Sequence, residues 1–174
     1  MALTAEDIVR AFAALSEELE RRNERAKMVV VGGAALVLLF HARESTKDVD
    51  ASFLLPEASV VRDAARAVAS NLDLPDDWLN DGAKGYLVGV SLGAVLYQSD
   101  HLEVRAATTA QLLAMKLAAW RDAIDRADAA LLLSDMEGTA EEIWTSVRRY
   151  VPADRLDKAS YAFDDLWEAV HGSR

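Results

Sequence analysis

The sequence has no cysteine among its 174 residues and only three histidines. The lack of cysteine excludes disulfide bonds and thiolate metal sites, and it fits the reducing cytoplasm, where we expect the protein. His41, His101 and His171 do not show the spacing of metal ligands. We therefore expect the histidines to be incidental to function.

Long hydrophobic runs and a basic surface are also missing. The longest apolar run, 28–40, is too short to span a bilayer, and the first twelve residues lack the basic region of a signal peptide. The formal net charge of −10 argues against extended binding to duplex DNA, because proteins that neutralise many phosphates are usually basic. We expect no membrane partner.

What is present is typical of a globular protein, with 52% hydrophobic and 28% charged residues and no repeat or flexible linker. The length predicts a single domain, 1–174. Thr4 is a predicted helix N-cap, with Asp7 completing a capping-box pair. The apolar pattern predicts helices over 4–25, 34–41, 58–71, 75–79 and 108–121, strands over 27–31, 48–55, 101–106 and within 87–98, and further helices over 122–171. This order predicts an α+β fold with a small mixed sheet.

A glycine pair, Gly32-Gly33, lies between the valine-rich strand and the helix that follows it. Such a pair lets the backbone approach a ligand closely, and the start of the helix offers N–H groups to a phosphate. The alternative is a tight turn that needs a positive φ. The segment matches neither the Rossmann nor the P-loop fingerprint, so by itself the pair favours the turn.

Two carboxylates, Asp48 and Asp50, lie one residue apart at the start of the predicted strand 48–55. Because side chains alternate along a strand, both point to one face and could share a divalent cation such as Mg²⁺. The alternative is a strand end with both acids in solvent. The apolar run 53–55 favours an interior strand, where neighbouring like charges are costly without a cation.

The combination is more specific than either part. The segments Val31-Gly32-Gly33 and Arg43-x-Ser45-Thr46-x-Asp48-Val49-Asp50 resemble the nucleotidyltransferase superfamily, which includes DNA polymerase β, the antibiotic nucleotidyltransferases and the AbiEii-type toxins. The resemblance covers about 27–135 and implies a nucleotidyltransferase-like core there, with a mixed sheet flanked by helices and a helical tail over 136–174.

The resemblance also implies roles for these residues. Gly32 and Gly33 would bind the phosphates of a nucleoside triphosphate, and Asp48 and Asp50 would bind Mg²⁺, with two ions expected. Three residues of the loop before the acids would assist: the arginine would hold a phosphate, and the two hydroxyls would bond the γ-phosphate or cap the turn. These residues are Arg43, Ser45 and Thr46.

In this superfamily a third carboxylate from a neighbouring strand acts as a metal ligand or as a base. Glu103 is the best candidate, because Leu102 and Val104 would point to the opposite face of its strand, and Asp100 is the alternative. Aspartate is more common than glutamate at this position of the family. The other interpretation of Glu103 is an exposed side chain on an edge strand.

The segment 111–121 continues the resemblance, since AbiEii-like proteins have a leucine-rich helix with one lysine, followed by an arginine and spaced aspartates. Lys116 would contact the triphosphate or an acidic cluster, or else lie at the edge of the buried stripe with its ammonium in water. The supporting residues would be Arg121, Asp125 and Asp128. The two aspartates would orient Lys116, Arg121 or Arg43, or form a solvated face.

Together with these motifs, the resemblance implies a metal-dependent nucleotidyltransferase that transfers NMP from an NTP to the 3′ end of a tRNA or to a protein hydroxyl. The resemblance suggests a toxin of a toxin–antitoxin pair, with a cognate antitoxin as partner. The alternative is a catalytically degenerate protein of the same fold that binds a nucleotide or a partner protein. A third possibility is a structural dimerisation module.

Overall fold

The computed structural model describes residues 1–172, and these residues form seven α-helices, a five-stranded mixed sheet and a two-stranded sheet. The predicted α+β fold is thereby confirmed. The strands are β1 (Leu3–Thr4), β2 (Ala26–Val31), β3 (Ser45–Thr46), β4 (Val49–Leu55), β5 (Leu79–Asn80), β6 (Val95–Gln98) and β7 (Leu102–Ala106). The helices are α1 (Ala5–Arg21), α2 (Gly32–Phe40), α3 (Ala58–Leu72), α4 (Thr109–Ala119), α5 (Ala123–Ser134), α6 (Ala140–Arg148) and α7 (Leu156–His171).

The chain divides into two compact units. The first comprises Met1–Gly85 and Leu92–Ala107, and it contains both sheets and the helices α1 to α3. The second comprises Tyr86–Ser91 and the chain from Thr108 onward, with the helices α4 to α7. The predicted single domain, with a core over 27–135 and a tail over 136–174, stays a prediction. Helix α1 belongs to the first unit, and α4 and α5 group with the helices of the tail.

The five-stranded sheet of the first unit has the order β5-β4-β2-β7-β6. The central strand β2 runs antiparallel to β4 and parallel to β7, while β5 runs parallel to β4 and β6 antiparallel to β7. Residues 28–31 of β2 are all buried, as expected of a central strand that is covered on both faces. At its start β2 lies beside Glu103 of β7, and at its end it lies beside Asp50 of β4.

Helix α1 forms where the capping box predicts it. The Thr4 hydroxyl accepts a hydrogen bond from the Asp7 N–H, and the Asp7 carboxylate accepts one from the Thr4 N–H. Phe12, on the buried face of this helix, has its ring centroid 6.3 Å from that of Trp78. Trp78 is fully buried, and its indole N–H donates to the Ala65 carbonyl, so it is a core residue.

One sequence prediction of local structure is wrong, and another is confirmed. The segment 75–79 is not a helix, because a turn over residues 76–78 leads directly into the short strand β5. The prediction of a strand within 87–98 is confirmed, and this strand covers Val95–Gln98. Just before this strand, the Gly93 N–H donates a hydrogen bond of 2.8 Å to the Ala106 carbonyl of β7, and a Cβ added at Gly93 would lie 2.8 Å from the same oxygen.

The second unit is helical, as the pattern after residue 108 predicts. Thr108 caps α4 by accepting a hydrogen bond from the Gln111 N–H, and the later breaks between helices fall near Gly138 and Pro152. The ring of Trp144 lies 5.3 Å from that of Phe163, so the aromatic residues of the tail pack against each other. Among the described residues, no helix has both the length and the apolar character needed to cross a membrane.

Candidate functional site

The two carboxylates of the predicted site lie at the start of β4. Val49 and Ala51 of this strand are fully buried, whereas Asp50 is only half-buried, because alternate side chains of a strand point to opposite faces. Asp48 is half-buried as well. The strand starts here because the Val49 N–H donates a hydrogen bond of 2.7 Å to the Trp78 carbonyl, next to the buried indole.

The register of the sheet brings Asp50 to the start of α2. Val31, the last residue of β2, pairs with Asp50, and the helix begins at the next residue, Gly32. Gly32 has a φ of +64°, and a Cβ added there would lie 3.6 Å from the Asp50 Oδ2. Val31 offers no side-chain cap to the helix, so the first N–H groups of α2 lack the acceptor that an N-cap side chain provides. The predicted turn at the glycines is thus the first turn of the helix.

Gly33 makes a second close contact at the same helix end. A Cβ added at Gly33 would lie only 2.8 Å from the Thr46 hydroxyl oxygen and 3.8 Å from an Arg43 guanidinium nitrogen. Thr46 is held in place by β3, which pairs with β1, and its hydroxyl donates a hydrogen bond of 3.3 Å to the Asp48 carbonyl. Only a glycine lets this loop lie so close to α2 without a shift.

Burial and like charge act together on the acid pair. Burial, and then the negative charge of Asp48, raise the pKa of Asp50 above its ordinary value, and a hydrogen bond from the Asn80 side chain opposes the rise. A carboxylate in this situation is ionised more readily when a cation is bound beside it. The electrostatics of the pair therefore favour a bound cation.

Asn80 is a residue of the site that sequence reasoning missed. It is the last residue of β5 and pairs with Asp50 of β4, and its side-chain Nδ2 lies 3.4 Å from the Asp48 Oδ2. Because residues 75–79 were predicted to form a helix, the short strand β5 was not recognised from the sequence. A usable signal was present, since Asn80-Asp81-Gly82 is a typical turn sequence directly after the apolar pair at 78 and 79.

The structure does not bring Glu103 to the acid pair. Glu103 pairs with Lys27 near the start of β2, whereas Asp50 pairs with Val31 at its end, which separates the two positions by about 13 Å along the strand. The Glu103 carboxylate instead accepts a hydrogen bond of 2.8 Å from Arg105, which lowers its pKa. The prediction of Glu103 as the third carboxylate is corrected on this ground.

Asp100 does not replace Glu103, because it is exposed in the turn before β7, still further from the end of β2. Within residues 1–172, no three carboxylate, histidine or cysteine side chains come together as a metal site. The residue of β7 that lies beside the end of β2 is an alanine, because Ala106 pairs with Val30. A third acid from this strand is thus excluded by register.

Lys116 lies in the second unit, within a cluster of charges. Its ammonium nitrogen is 3.0 Å from the Asp125 Oδ1 and 2.8 Å from the Asp128 Oδ2, and both aspartates are buried. The other oxygen of Asp125 accepts two hydrogen bonds of 3.1 Å from Arg121. Burial acts to raise the pKa of Asp125, but the bonds from Arg121 and Lys116 outweigh it and lower this pKa.

Two cavities of the first unit adjoin residues that contact the acid pair or the glycines. One of about 430 Å³ is lined by Arg43, and one of about 290 Å³ is lined by Asn80. The first unit thus gathers the glycine pair, the loop before the acids and the acids themselves. The predicted residues brought together there are Gly32, Gly33, Arg43, Ser45, Thr46, Asp48 and Asp50.

The comparison with protein families agrees with this arrangement. The model of a family described as a nucleotidyltransferase of unknown function (DUF6036) matches residues 6–128, which is more than half of the chain. The matched segment contains both the acid pair and the Lys116 cluster. No curated protein and no solved structure matches the chain.

Proposed function

Because the chain belongs to this family of nucleotidyltransferases of unknown function, we propose that it transfers a nucleoside monophosphate from a nucleoside triphosphate to a hydroxyl group, with the help of Mg²⁺. The observation that carries the proposal is the contact of Asp50 with the start of α2. Carboxylate oxygens and helix N–H groups at one place suit a divalent cation together with a phosphate chain.

The residues present fit Mg²⁺. Asp48 and Asp50 offer hard oxygen ligands on half-buried side chains. Burial, and then the charge of Asp48, raise the pKa of Asp50, and a bound cation would favour its ionised form. Bound there, Mg²⁺ would neutralise charge on the phosphate oxygens and orient them for an in-line displacement. Asp48 and Asp50 are the residues that would hold it.

The remaining residues of the site are assigned to the triphosphate. Gly32 and Gly33 would present the N–H groups of the first turn of α2 to its oxygens, and Arg43 and Thr46 lie against Gly33. In the transfer, the hydroxyl oxygen bonds to the α-phosphorus, the bond from this phosphorus to the bridging oxygen breaks, and pyrophosphate leaves. The hydroxyl proton passes to solvent.

Lys116 belongs to the second unit, and its expected contact with a triphosphate stays a prediction from the sequence. An ammonium has three N–H donors, and the two carboxylates of Asp125 and Asp128 engage two of them. Asp125 would hold the ammonium in one orientation, with Arg121 holding Asp125 in turn. These hydrogen bonds support the proposal that Arg121 and Asp125 orient Lys116.

We further propose that the acceptor is the 3′ end of a tRNA or a protein hydroxyl, and that the protein acts in the cytoplasm as the toxin of a toxin–antitoxin pair. The net charge of −10 supports a small acceptor footprint over an extended nucleic-acid interface. The acceptor and the antitoxin rest on the resemblance of the glycine and aspartate motifs.

The experiment is to incubate the protein with labelled NTPs, Mg²⁺ and either tRNA or whole lysate. We expect the substitution Asp48→Ala to reduce labelling by on the order of 100-fold or more, because the cation would lose one of its two carboxylates. The matched control is Asp63→Ala, which removes an aspartate with a 59% exposed side chain on α3. Equal labelling by Asp48→Ala and the wild type would refute the mechanism.

One observation favours a second candidate function, which is nucleotide binding without efficient transfer. Asn80, whose amide cannot act as a base, lies level with Asp50 on the neighbouring strand, and Glu103 lies elsewhere. Equilibrium binding of a non-hydrolysable ATP analogue separates the two candidates. Binding that does not depend on Mg²⁺, together with no labelling of any acceptor, would support the second candidate.

A further inference from the structure

Asn80 occupies a defined position beside the acid pair. Strand β5 runs parallel to β4, with Leu79 opposite Val49 and Asn80 opposite Asp50. Residues directly opposite each other on neighbouring strands point to the same face of a sheet. Asn80 and Asp50 therefore share one face, while Leu79 and Val49 are both buried on the other.

The orientation of the Asn80 amide is fixed by its own turn. The Oδ1 atom accepts a hydrogen bond of 2.9 Å from the Gly82 N–H, which leaves the Nδ2 group to donate. Nδ2 lies 3.4 Å from the Asp48 Oδ2 and 3.4 Å from the Asp77 carbonyl. A Cβ at Gly82 would be 2.9 Å from Oδ1, so the turn accommodates the amide only with glycine at this position.

The backbone on both sides of Asn80 is anchored as well. Before it, Trp78 is fully buried, and its carbonyl accepts the hydrogen bond from Val49. After it, both oxygens of Asp81 are bonded by the Arg62 guanidinium, at 3.2 and 2.7 Å. A side chain held from both sides loses little conformational freedom when it contacts Asp48.

An amide at this position differs from a carboxylate in two ways. First, the amide donates a hydrogen bond to Asp48, whereas a carboxylate would repel the Asp48 carboxylate. Second, the amide is uncharged, so Asp48, Asp50 and Asn80 together have only two negative charges. We propose that Asn80 is a positioning residue, which orients the Asp48 carboxylate for a divalent cation and limits the negative charge of the site to two. This inference rests on the proposed function, because it concerns the same cation.

The test measures binding of Mn²⁺ alone to the full chain, by calorimetry or by electron paramagnetic resonance of the free ion. Mn²⁺ prefers the same oxygen ligands as Mg²⁺. We expect Asn80→Ala to weaken Mn²⁺ binding at least about threefold, because Asp48 loses the group that orients it. We expect Asn80→Asp to strengthen it at least about tenfold, since a third carboxylate of nearly the same shape would face the cation.

The matched control for the second variant is Asn71→Asp, which makes the same chemical change at an exposed position of α3. It should leave Mn²⁺ affinity unchanged. A long-range effect of one extra negative charge would instead strengthen binding in both aspartate variants equally, and that result would overturn the proposal.

Two further measurements separate the possible failures. If Asp48→Ala binds Mn²⁺ as well as the wild type, the proposed metal site is wrong, and the inference falls with it. If Asp48→Ala loses binding while both Asn80 variants bind like the wild type, the inference alone is overturned. If Asn80 had a purely structural role, Asn80→Ala would unfold at a lower temperature but bind Mn²⁺ like the wild type. If Asn80→Asp does not fold, the Mn²⁺ affinity of Asn80→Ala alone tests the proposal.

Discussion

Each unit of the protein contains a pair of closely spaced aspartates, which are Asp48 and Asp50 at the start of β4 and Asp125 and Asp128 on α5. The pair on α5 shares the ammonium of Lys116, and the pKa of Asp125 is lowered although burial acts against this. On β4 the pKa of Asp50 is raised by burial and by Asp48. One pair is thus neutralised by the chain itself, whereas the other retains a charge that an external cation would neutralise. The comparison separates an aspartate pair that stabilises its unit from one that is suited to bind a ligand.

The largest expected effect distinguishes the two pairs by stability. Asp125→Ala should lower the free energy of unfolding by about 2–4 kcal/mol, because it removes a buried carboxylate that both Lys116 and Arg121 bond, while Asp128 still pairs with the ammonium. Asp50→Asn should not lower it, since the substitution removes a like-charge repulsion. Chemical unfolding followed by circular dichroism measures both. Equal losses in the two variants would remove the distinction between the pairs.

A smaller effect is expected at the glycine pair. Gly33→Ala should cost about 1–3 kcal/mol, because the new Cβ would lie 2.8 Å from the Thr46 hydroxyl and the loop would have to shift. Gly85→Ala is the control, since a Cβ at Gly85 has no atom within 4 Å. Thermal unfolding of both variants checks this, and a Gly33→Ala variant as stable as the control would contradict the close approach.

The smallest effect concerns pH, and its sign is opposite for the two pairs. The folded-state pKa of Asp50 lies above the ordinary 3.8, so its contribution to stability is full below pH 3.8 and is lost as pH rises through the folded-state value. The pKa of Asp125 lies below 3.8, so its contribution is present above pH 3.8 and is lost as pH falls through the folded-state value.

Unfolding temperatures measured from about pH 3 to about pH 7 test these signs. The unfolding temperature of Asp50→Asn should fall less than that of the wild type as pH rises. The unfolding temperature of Asp125→Asn should fall less than that of the wild type as pH is lowered. Parallel pH profiles of the two variants would show that the pairs do not differ in electrostatics.

The sequence is informative wherever local chemistry decides the structure. The Thr4–Asp7 capping box and the alternation around Val49 each depend on residues a few positions apart, and both are present in the structure. The α+β class follows from the order of such segments. The nucleotidyltransferase family was also recognisable, because its glycine and aspartate motifs are short and contiguous.

The rest depends on register, which a single sequence does not specify. The segment 101–106 is a strand as predicted, but its pairing with β2 places Glu103 beside Lys27 and not beside the acids. Strand β5 has only two residues, too few to show an alternating pattern, so the position of Asn80 became visible only in the sheet. Tertiary pairing decides which side chains share an edge of the sheet.

The pairing of Val31 with Asp50 has a consequence for how such a site can evolve. Hydrogen bonds of the sheet hold the end of β2 and the start of β4 together, so the length of the chain between them does not determine where the acids lie. His41 and Ala42 of this connection are exposed. Insertions or deletions at this point could alter what surrounds the acids while leaving the acids themselves where they are.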